Sequence, residues 1–191
     1  MKGFFKQHSY SIVKNLVNQI VISIFGAFLS IIAMKTDLLS IIVSAFAIVF
    51  YLFLIYTTTW EIGAKDRISV DVGKKKYNPH TGLLISLVSN VPVFLLAILV
   101  TIFKVFVKEG SVYDTAQSIL RIIFLLLEGM YTGIMMTVKV SAEGTPMIDT
   151  WWPYFIIIIP AIATAWVAYF AGHKNFRLIA PLFDKKKKNG N

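Results

Sequence analysis

The stretch RIIFLLLEGMYTG, Arg121 to Gly133, places an arginine and a glutamate inside a run that otherwise has the composition of a membrane span. The surrounding block, 116–138, consists mostly of Ile, Leu, Phe and Met. A charged side chain near the centre of a bilayer costs about 2.5–3.5 kcal/mol on insertion scales. We therefore expect both charged side chains to face protein or water, and at least one to have a polar partner on another helix.

Four further apolar blocks accompany this one in the chain of 191 residues. Hydrophobic residues make up 57% of the sequence and charged residues 15%, whereas soluble domains average about 45–50% and about 25%. Each block reaches or approaches the ~20 residues that cross a hydrocarbon core of ~30 Å. The sequence predicts an all-α, polytopic helical membrane protein with four to five transmembrane helices. The spans are expected near 16–34, 38–60, 82–107, 116–138 and 152–171.

The remaining segments are too short to form a separate soluble domain, so residues 1–191 are expected to form a single membrane domain. Apolar residues recur at helical spacing between Phe5 and Ile20, and lysines fall mostly on other faces. This pattern predicts an interfacial amphipathic helix over 1–15. The alternative is a first span with a polar start. A basic tail, 173–191, closes the chain.

The distribution of lysine and arginine leaves two topologies open. If all five blocks cross, each side of the membrane carries nine basic residues, with Lys104 near the end of the third block counted on the side of that end. If block 116–138 is re-entrant and does not cross, one side carries 14 and the other 4. The positive-inside rule prefers the second arrangement and places the side with 14 basic residues in the cytoplasm. Hydropathy prefers the first arrangement, because block 116–138 is long and apolar.

A polar face runs along block 116–138. Arg121 and Glu128 are seven residues apart, so they lie on one helix face, and Thr132 extends that face. The candidate partners are Asn90 in the block before it, Asn18 and Gln19 in the first block, backbone freed by Pro92, and a second subunit. One interpretation is a buried ionic link that only fixes helix packing. The others are a polar lining for a substrate or ion path and a re-entrant segment.

Small residues predict close helix packing at two places. Gly129 and Gly133 form a GxxxG pattern, whose bare backbone lets another helix approach, from this chain or a second subunit. Ala161 and Ala165 belong to a stripe of small residues in the last block.

Two prolines inside the blocks predict interrupted helices. Pro92 and Pro160 lack the N–H that a continuous helix needs, and no water solvates the freed carbonyl at membrane depth. We expect both helices to kink. Asn90 is expected to bond to the freed backbone or to a neighbouring helix.

The sequence carries no pattern that indicates an enzyme or a cofactor site. It contains no cysteine, no P-loop, no HExxH, no GxSxG and no acidic cluster with metal-ligand spacing. We expect no catalytic residue, no metal and no cofactor. Four lysines of the basic tail, Lys185, Lys186, Lys187 and Lys188, are expected to contact anionic lipid headgroups and not nucleic acid.

Two stretches, WEIGAKDRISVDVGKKKYNPHTGLLISLVSNVP (60–92) and AYFAGHKNFRL (168–178), resemble segments of small uncharacterised multipass proteins of low-GC Gram-positive bacteria. The resemblance covers about a third of the chain. It implies a multipass protein of the bacterial plasma membrane and transfers no functional residue.

The most favoured function is a small subunit of a transport or channel-like assembly, working as a homo-oligomer or with a membrane protein partner. Its basis is the small size, the near absence of extramembrane structure and the polar face of block 116–138. The alternative is a non-catalytic accessory or scaffold protein that docks onto another membrane complex.

Overall fold

The computed structural model describes residues 2–33, 35–106, 110–141 and 144–176, and most of them are helical. Among these residues the only strand-like pairing is a single bridge between Lys139 and Pro146. The all-α class predicted from the sequence is confirmed. The helices are α1 (Lys2–Ala33), α2 (Asp37–Asp71), α3 (Thr81–Ser89), α4 (Val91–Phe106), α5 (Ser111–Glu128), α6 (Thr132–Thr137), α7 (Pro153–Ile156) and α8 (Ile159–His173), with 3₁₀ turns at Gly129–Tyr131 and Met147–Asp149.

Four helical segments are long and apolar enough to cross a membrane. A fifth, formed by Thr81–Ser89 and Val91–Val105, passes the same criterion if the two bent halves count as one broken span. The chain is therefore an integral membrane protein by the length and composition of its helices. The four segments are Phe4–Ala33, Asp37–Asp71, Thr115–Thr137 and Pro153–His173.

Helices α1 and α2 form an antiparallel hairpin, and helices α3, α5, α6 and α8 pack on it. Polar contacts join the two helices near their connection and again about half-way along α1: Ser30 Oγ lies 3.4 Å from Ser44 Oγ, and Thr58 Oγ1 donates to Asn15 Oδ1 at 2.9 Å. Residues 2–15 continue α1 without interruption. The inner face here buries His8 and Asn15, whereas Phe5 and Val13 of the apolar stripe are 45% and 56% exposed. The segment expected over 1–15 is thus, from residue 2, the first part of a longer helix, and the interfacial position of its apolar stripe stays a prediction.

Helices α3 and α4 are bent by 52° at Asn90. Pro92 is the second residue of α4, so the break predicted at this proline is confirmed. The second predicted break is also present: α7 ends at Ile156, and α8 begins at Ile159 with Pro160 in its first turn.

Both ends of the segment 111–137 lie at the same end of the bundle. Lys104, near the end of α4, donates to the carbonyl of Ile148 at 2.8 Å, and α5 begins only a short link later. At the other end of the segment, the N–H of Met147 donates to the carbonyl of Val138 at 2.8 Å. Since α4 ends and α6 ends beside the same 147–149 turn, α5 must run away from that turn and α6 must run back to it.

The ion pair of Arg121 leads to the same conclusion. Arg121 Nη2 lies 2.7 Å from Asp149 Oδ1, and Asp149 is two residues beyond Met147, the partner of Val138. A straight helix would separate residues 121 and 138 by about 26 Å at 1.5 Å per residue. The reversal falls at Glu128, whose φ of −138° and ψ of 22° are not helical, and at the 3₁₀ turn after it. These contacts favour the re-entrant arrangement of block 116–138, which the charge count also prefers.

Candidate functional site, a buried polar cluster

Three polar side chains meet where the chain interrupts two of its helices. Glu128 lies at the apex of the α5–α6 reversal, Asn90 lies at the break between α3 and α4, and Gln19 lies in the middle of α1. Their exposed fractions are 2%, 2% and 0%. Glu128, Asn90 and Gln19 are called the polar cluster below. It is enclosed by protein on every side.

Gln19 connects the polar cluster. Its Nε2 donates to Glu128 Oε1 and, at 3.4 Å, to Asn90 Oδ1. Asn90 Nδ2 in turn donates to the carbonyl of Ser86 at 2.9 Å and reaches Ser86 Oγ at 3.3 Å. Asn90 is bonded to a neighbouring helix as predicted, through Gln19 of α1. The Ser86 carbonyl also accepts the Asn90 backbone N–H, so it is not the carbonyl that Pro92 leaves free. The predicted partner of Glu128 on another helix is Gln19.

Glycines bring the α5–α6 reversal close enough to α1 and α2 for this contact. A Cβ at Gly129 would overlap the carbonyl oxygen of Ser23, and a Cβ at Gly133 would overlap that of Ser40. Ser23 Oγ also donates to the carbonyl of Leu127 at 2.8 Å. The GxxxG pattern thus serves packing within the chain, and these two glycines are not available to a second subunit.

Four buried oxygen atoms around the apex have no hydrogen-bond partner among the described residues. They are Gln19 Oε1, Glu128 Oε2, Thr132 Oγ1 and the hydroxyl of Tyr131. Thr132 is fully buried beside the apex, as its place on the polar face predicts. A buried polar atom without a partner costs about 1–3 kcal/mol, so native proteins keep few of them without a use.

Arg121 does not belong to the polar cluster: it faces protein and water as expected, but at the surface and not in the interior beside Glu128. Its side chain is 52% exposed and pairs with Asp149. Arg121 lies seven residues before the apex and lines an open cleft of about 390 Å³, together with Lys104 and Asp149. Arg121 therefore finds its counter-charge in a surface turn, and the structure contains no link between Arg121 and Glu128.

Close packing predicted in the last block is confirmed. Ala161 and Ala165 are 2% and 0% exposed. A Cβ at Gly172 would overlap the carbonyl of Trp60, and a Cβ at Gly63 would overlap that of Tyr169. Two short sequences of the pattern aromatic-x-x-Gly thus pack against each other on α2 and α8.

A second buried polar group, centred on Asp66, was not predicted from the sequence. Asp66 is 6% exposed, and its Oδ2 accepts from Lys75 Nζ at 2.7 Å and from the hydroxyl of Tyr169 at 2.8 Å. The residues lie in what reads as a polar loop after the second block. The available signal was the helical continuation of α2 past Trp60, which carries Asp66 against α8.

Within the described ranges, no group of three or more His, Asp or Glu side chains could hold a metal ion. The lysines at 185–188 lie outside the described residues, and their contact with lipid headgroups stays a prediction. Comparison with protein families, curated proteins and solved structures finds no match for the chain.

Proposed function

We propose that the protein is a small subunit of a transport or channel-like assembly in a bacterial plasma membrane. The observation that carries the proposal is the polar cluster at the meeting point of two interrupted helices. Transporters commonly build their solute and ion sites near the bilayer midplane from discontinuous helices, because the breaks supply polar groups that a regular helix keeps bonded. Glu128 and Asn90 each lie at such a break.

Burial of Glu128 favours a functional role over a purely structural one. A carboxyl group inside a membrane protein is costly to insert and marks solute or proton pathways by default. A purely structural link would use the pairing capacity of its members, yet Glu128 Oε2 and Gln19 Oε1 have no partner among the described residues. These two unpaired oxygen atoms support a site that binds a solute, an ion or a proton.

A scaffold that docks onto another membrane complex is the second candidate. The GxxxG glycines offer such a partner no docking surface, because α1 and α2 of the same chain cover them. Exposed apolar side chains elsewhere on the helices suit lipid as well as protein. We therefore favour the transport subunit.

The test compares assembly with transport. The protein is extracted from native-level expression in gentle detergent, and native mass spectrometry reads its stoichiometry and partners. The isolated assembly is then placed in liposomes, and a pH-sensitive dye follows proton flux under an imposed potassium diffusion potential. We expect an assembly larger than the monomer, and Glu128→Gln should retain it while reducing flux at least tenfold.

Glu61→Gln is the matched control, because Glu61 is an exposed carboxylate on α2. It should leave both readouts unchanged. A monomer that purifies alone would contradict the assembly. Equal flux for wild type and Glu128→Gln, with an intact assembly, would instead favour the scaffold.

A further inference from the structure

The polar cluster contains a carboxyl group without a cationic partner. The ion pairs among the described residues are Arg67–Asp71, Lys75–Asp66 and Arg121–Asp149, and none includes Glu128. The elements packed around the apex present Gln19 and Ser23 from α1, Tyr51 from α2 and Asn90 from the α3–α4 break, with Tyr131 from the 3₁₀ turn. The titratable groups among these are the two tyrosines, which are neutral under ordinary conditions.

An ionised Glu128 would therefore carry an uncompensated charge in the protein interior, where its side chain is buried. Such a charge is so costly that the group normally takes up a proton instead. Hydrogen bonding to Gln19 alone offsets little of that cost, because an amide carries no net charge. The burial of Glu128 thus argues for a neutral acid in the structure as it stands.

The pattern of hydrogen bonds identifies the oxygen that holds the proton. Gln19 Nε2 already donates to Glu128 Oε1, so the other oxygens of the two groups, Gln19 Oε1 and Glu128 Oε2, belong to the same amide–carboxyl pair. Both are acceptors when Glu128 is ionised, and both lack partners. A proton on Oε2 would turn that oxygen into a donor, and Gln19 Oε1 is an unpaired acceptor on the side chain already bonded to Glu128. One proton shared in this way would satisfy two of the four buried oxygens that have no partner.

We propose that Glu128 is the proton-binding residue of this protein, held as a neutral acid paired with the Gln19 amide and able to release its proton when the pair opens. The role of this proton rests on the proposed function: a transport subunit would exchange it for its solute or pass it to the opposite side of the membrane. Proton binding itself can be measured without any transport assay.

A hydrophobic carbodiimide provides the test, because it reacts with protonated carboxyl groups in an apolar interior. The acid O–H adds across one C=N bond of the reagent, and rearrangement leaves a stable N-acylurea with the full mass of the added reagent. Purified protein in detergent is labelled over a pH series, and mass spectrometry of its peptides locates the adduct. We expect labelling at Glu128 that falls about tenfold per pH unit above its midpoint.

Sodium chloride at constant ionic strength and fixed pH separates a proton site from a metal-cation site. We expect no effect of sodium on the labelling. Protection by sodium would overturn the proposal in favour of a sodium site formed by the same free oxygens. Labelling that does not change with pH would also overturn it.

Infrared difference spectroscopy covers the case in which the reagent fails to reach the interior. A pH jump on the wild type should bleach the carbonyl band of a protonated carboxylic acid. Glu128→Gln should lack that band, and Glu61→Gln should keep it. Absence of the band in the wild type would overturn the proposal. A titrating Glu128 combined with normal flux in Glu128→Gln would reject only the transport function.

Discussion

Gln19 and Glu128 lie 109 positions apart in the sequence, and a side-chain hydrogen bond joins them in the interior of the protein. The bond connects the middle of α1 to the apex of the α5–α6 reversal. It fixes the depth at which the reversal occurs, since Glu128 cannot shift along α1 without losing its partner. The packing of Gly129 on Ser23 holds the same register.

Loss of Gln19 should destabilise the protein mainly through Glu128. Gln19→Leu removes the donor and leaves a buried carboxyl group without a partner, so we expect a loss of about 1–3 kcal/mol. Glu128→Leu leaves the Gln19 amide with only its 3.4 Å bond to Asn90 and should cost a similar amount. The double variant should cost less than the sum of the two. Thermal unfolding in detergent measures all three, and strict additivity would show that the two residues are not coupled.

Close packing of the reversal should make Gly133 intolerant of even one methyl group. In Gly133→Ala the new Cβ would meet the Ser40 carbonyl and Ser44 Oγ, so we expect a loss of about 1–3 kcal/mol and a lower Tm. The control is Gly73→Asn: Gly73 has open space around it and a φ of +72°, which asparagine tolerates. Equal Tm values for the two variants would mean that α6 does not pack on α2 as described.

The buried Asp66 should matter more than a neighbouring aspartate in a surface pair. Asp66→Asn leaves Lys75 without its counter-charge and weakens the bond to Tyr169, so a loss of about 1–3 kcal/mol is expected. Asp71→Asn disrupts only the exposed pair with Arg67, at 3.6 Å, and should cost about 0.5 kcal/mol or less. Denaturation curves in one detergent compare them. A larger loss for Asp71→Asn would contradict the account of α2 and α8.

Features that depend on composition and local chemistry could be predicted from the sequence. Apolar length gave the membrane class, and the missing N–H of Pro92 gave the break at Asn90. The burial of Glu128 followed from the cost of a charge in hydrocarbon. Each of these depends on a residue and its immediate neighbours.

Features that depend on the direction of a helix in the bundle could not be predicted. Arg121 and Glu128 share a helix face, yet one lies at a cleft and the other at the core, because a face has different neighbours at different depths. The partners of Gly129 and Gly133 were equally undetermined, since GxxxG marks a close approach without naming the helix that approaches. Asp66 was missed because the extension of α2 beyond the apolar block buries it only through α8.

The segment 111–137 enters and leaves on one side of the bundle, with Glu128 at its apex. Cysteine accessibility tests directly whether it does so on one side of the membrane, since the chain has no native cysteine. Single cysteines replace Lys35, Lys108, Lys139 and, as the opposite-side reference, Lys74. An impermeant thiol reagent is then applied to intact cells and, in parallel, to inverted membrane vesicles.

We expect the cysteines at 35, 108 and 139 to react in intact cells, and the cysteine at 74 to react only in inverted vesicles, as the positive-inside rule places the 61–81 segment in the cytoplasm. In a chain inserted in the opposite orientation, the cysteine at 74 would react in intact cells and the other three only in inverted vesicles. The cysteines at 108 and 139 would still react from the same side. Labelling of 108 and 139 from opposite sides would show that the segment crosses the membrane, and would contradict the account.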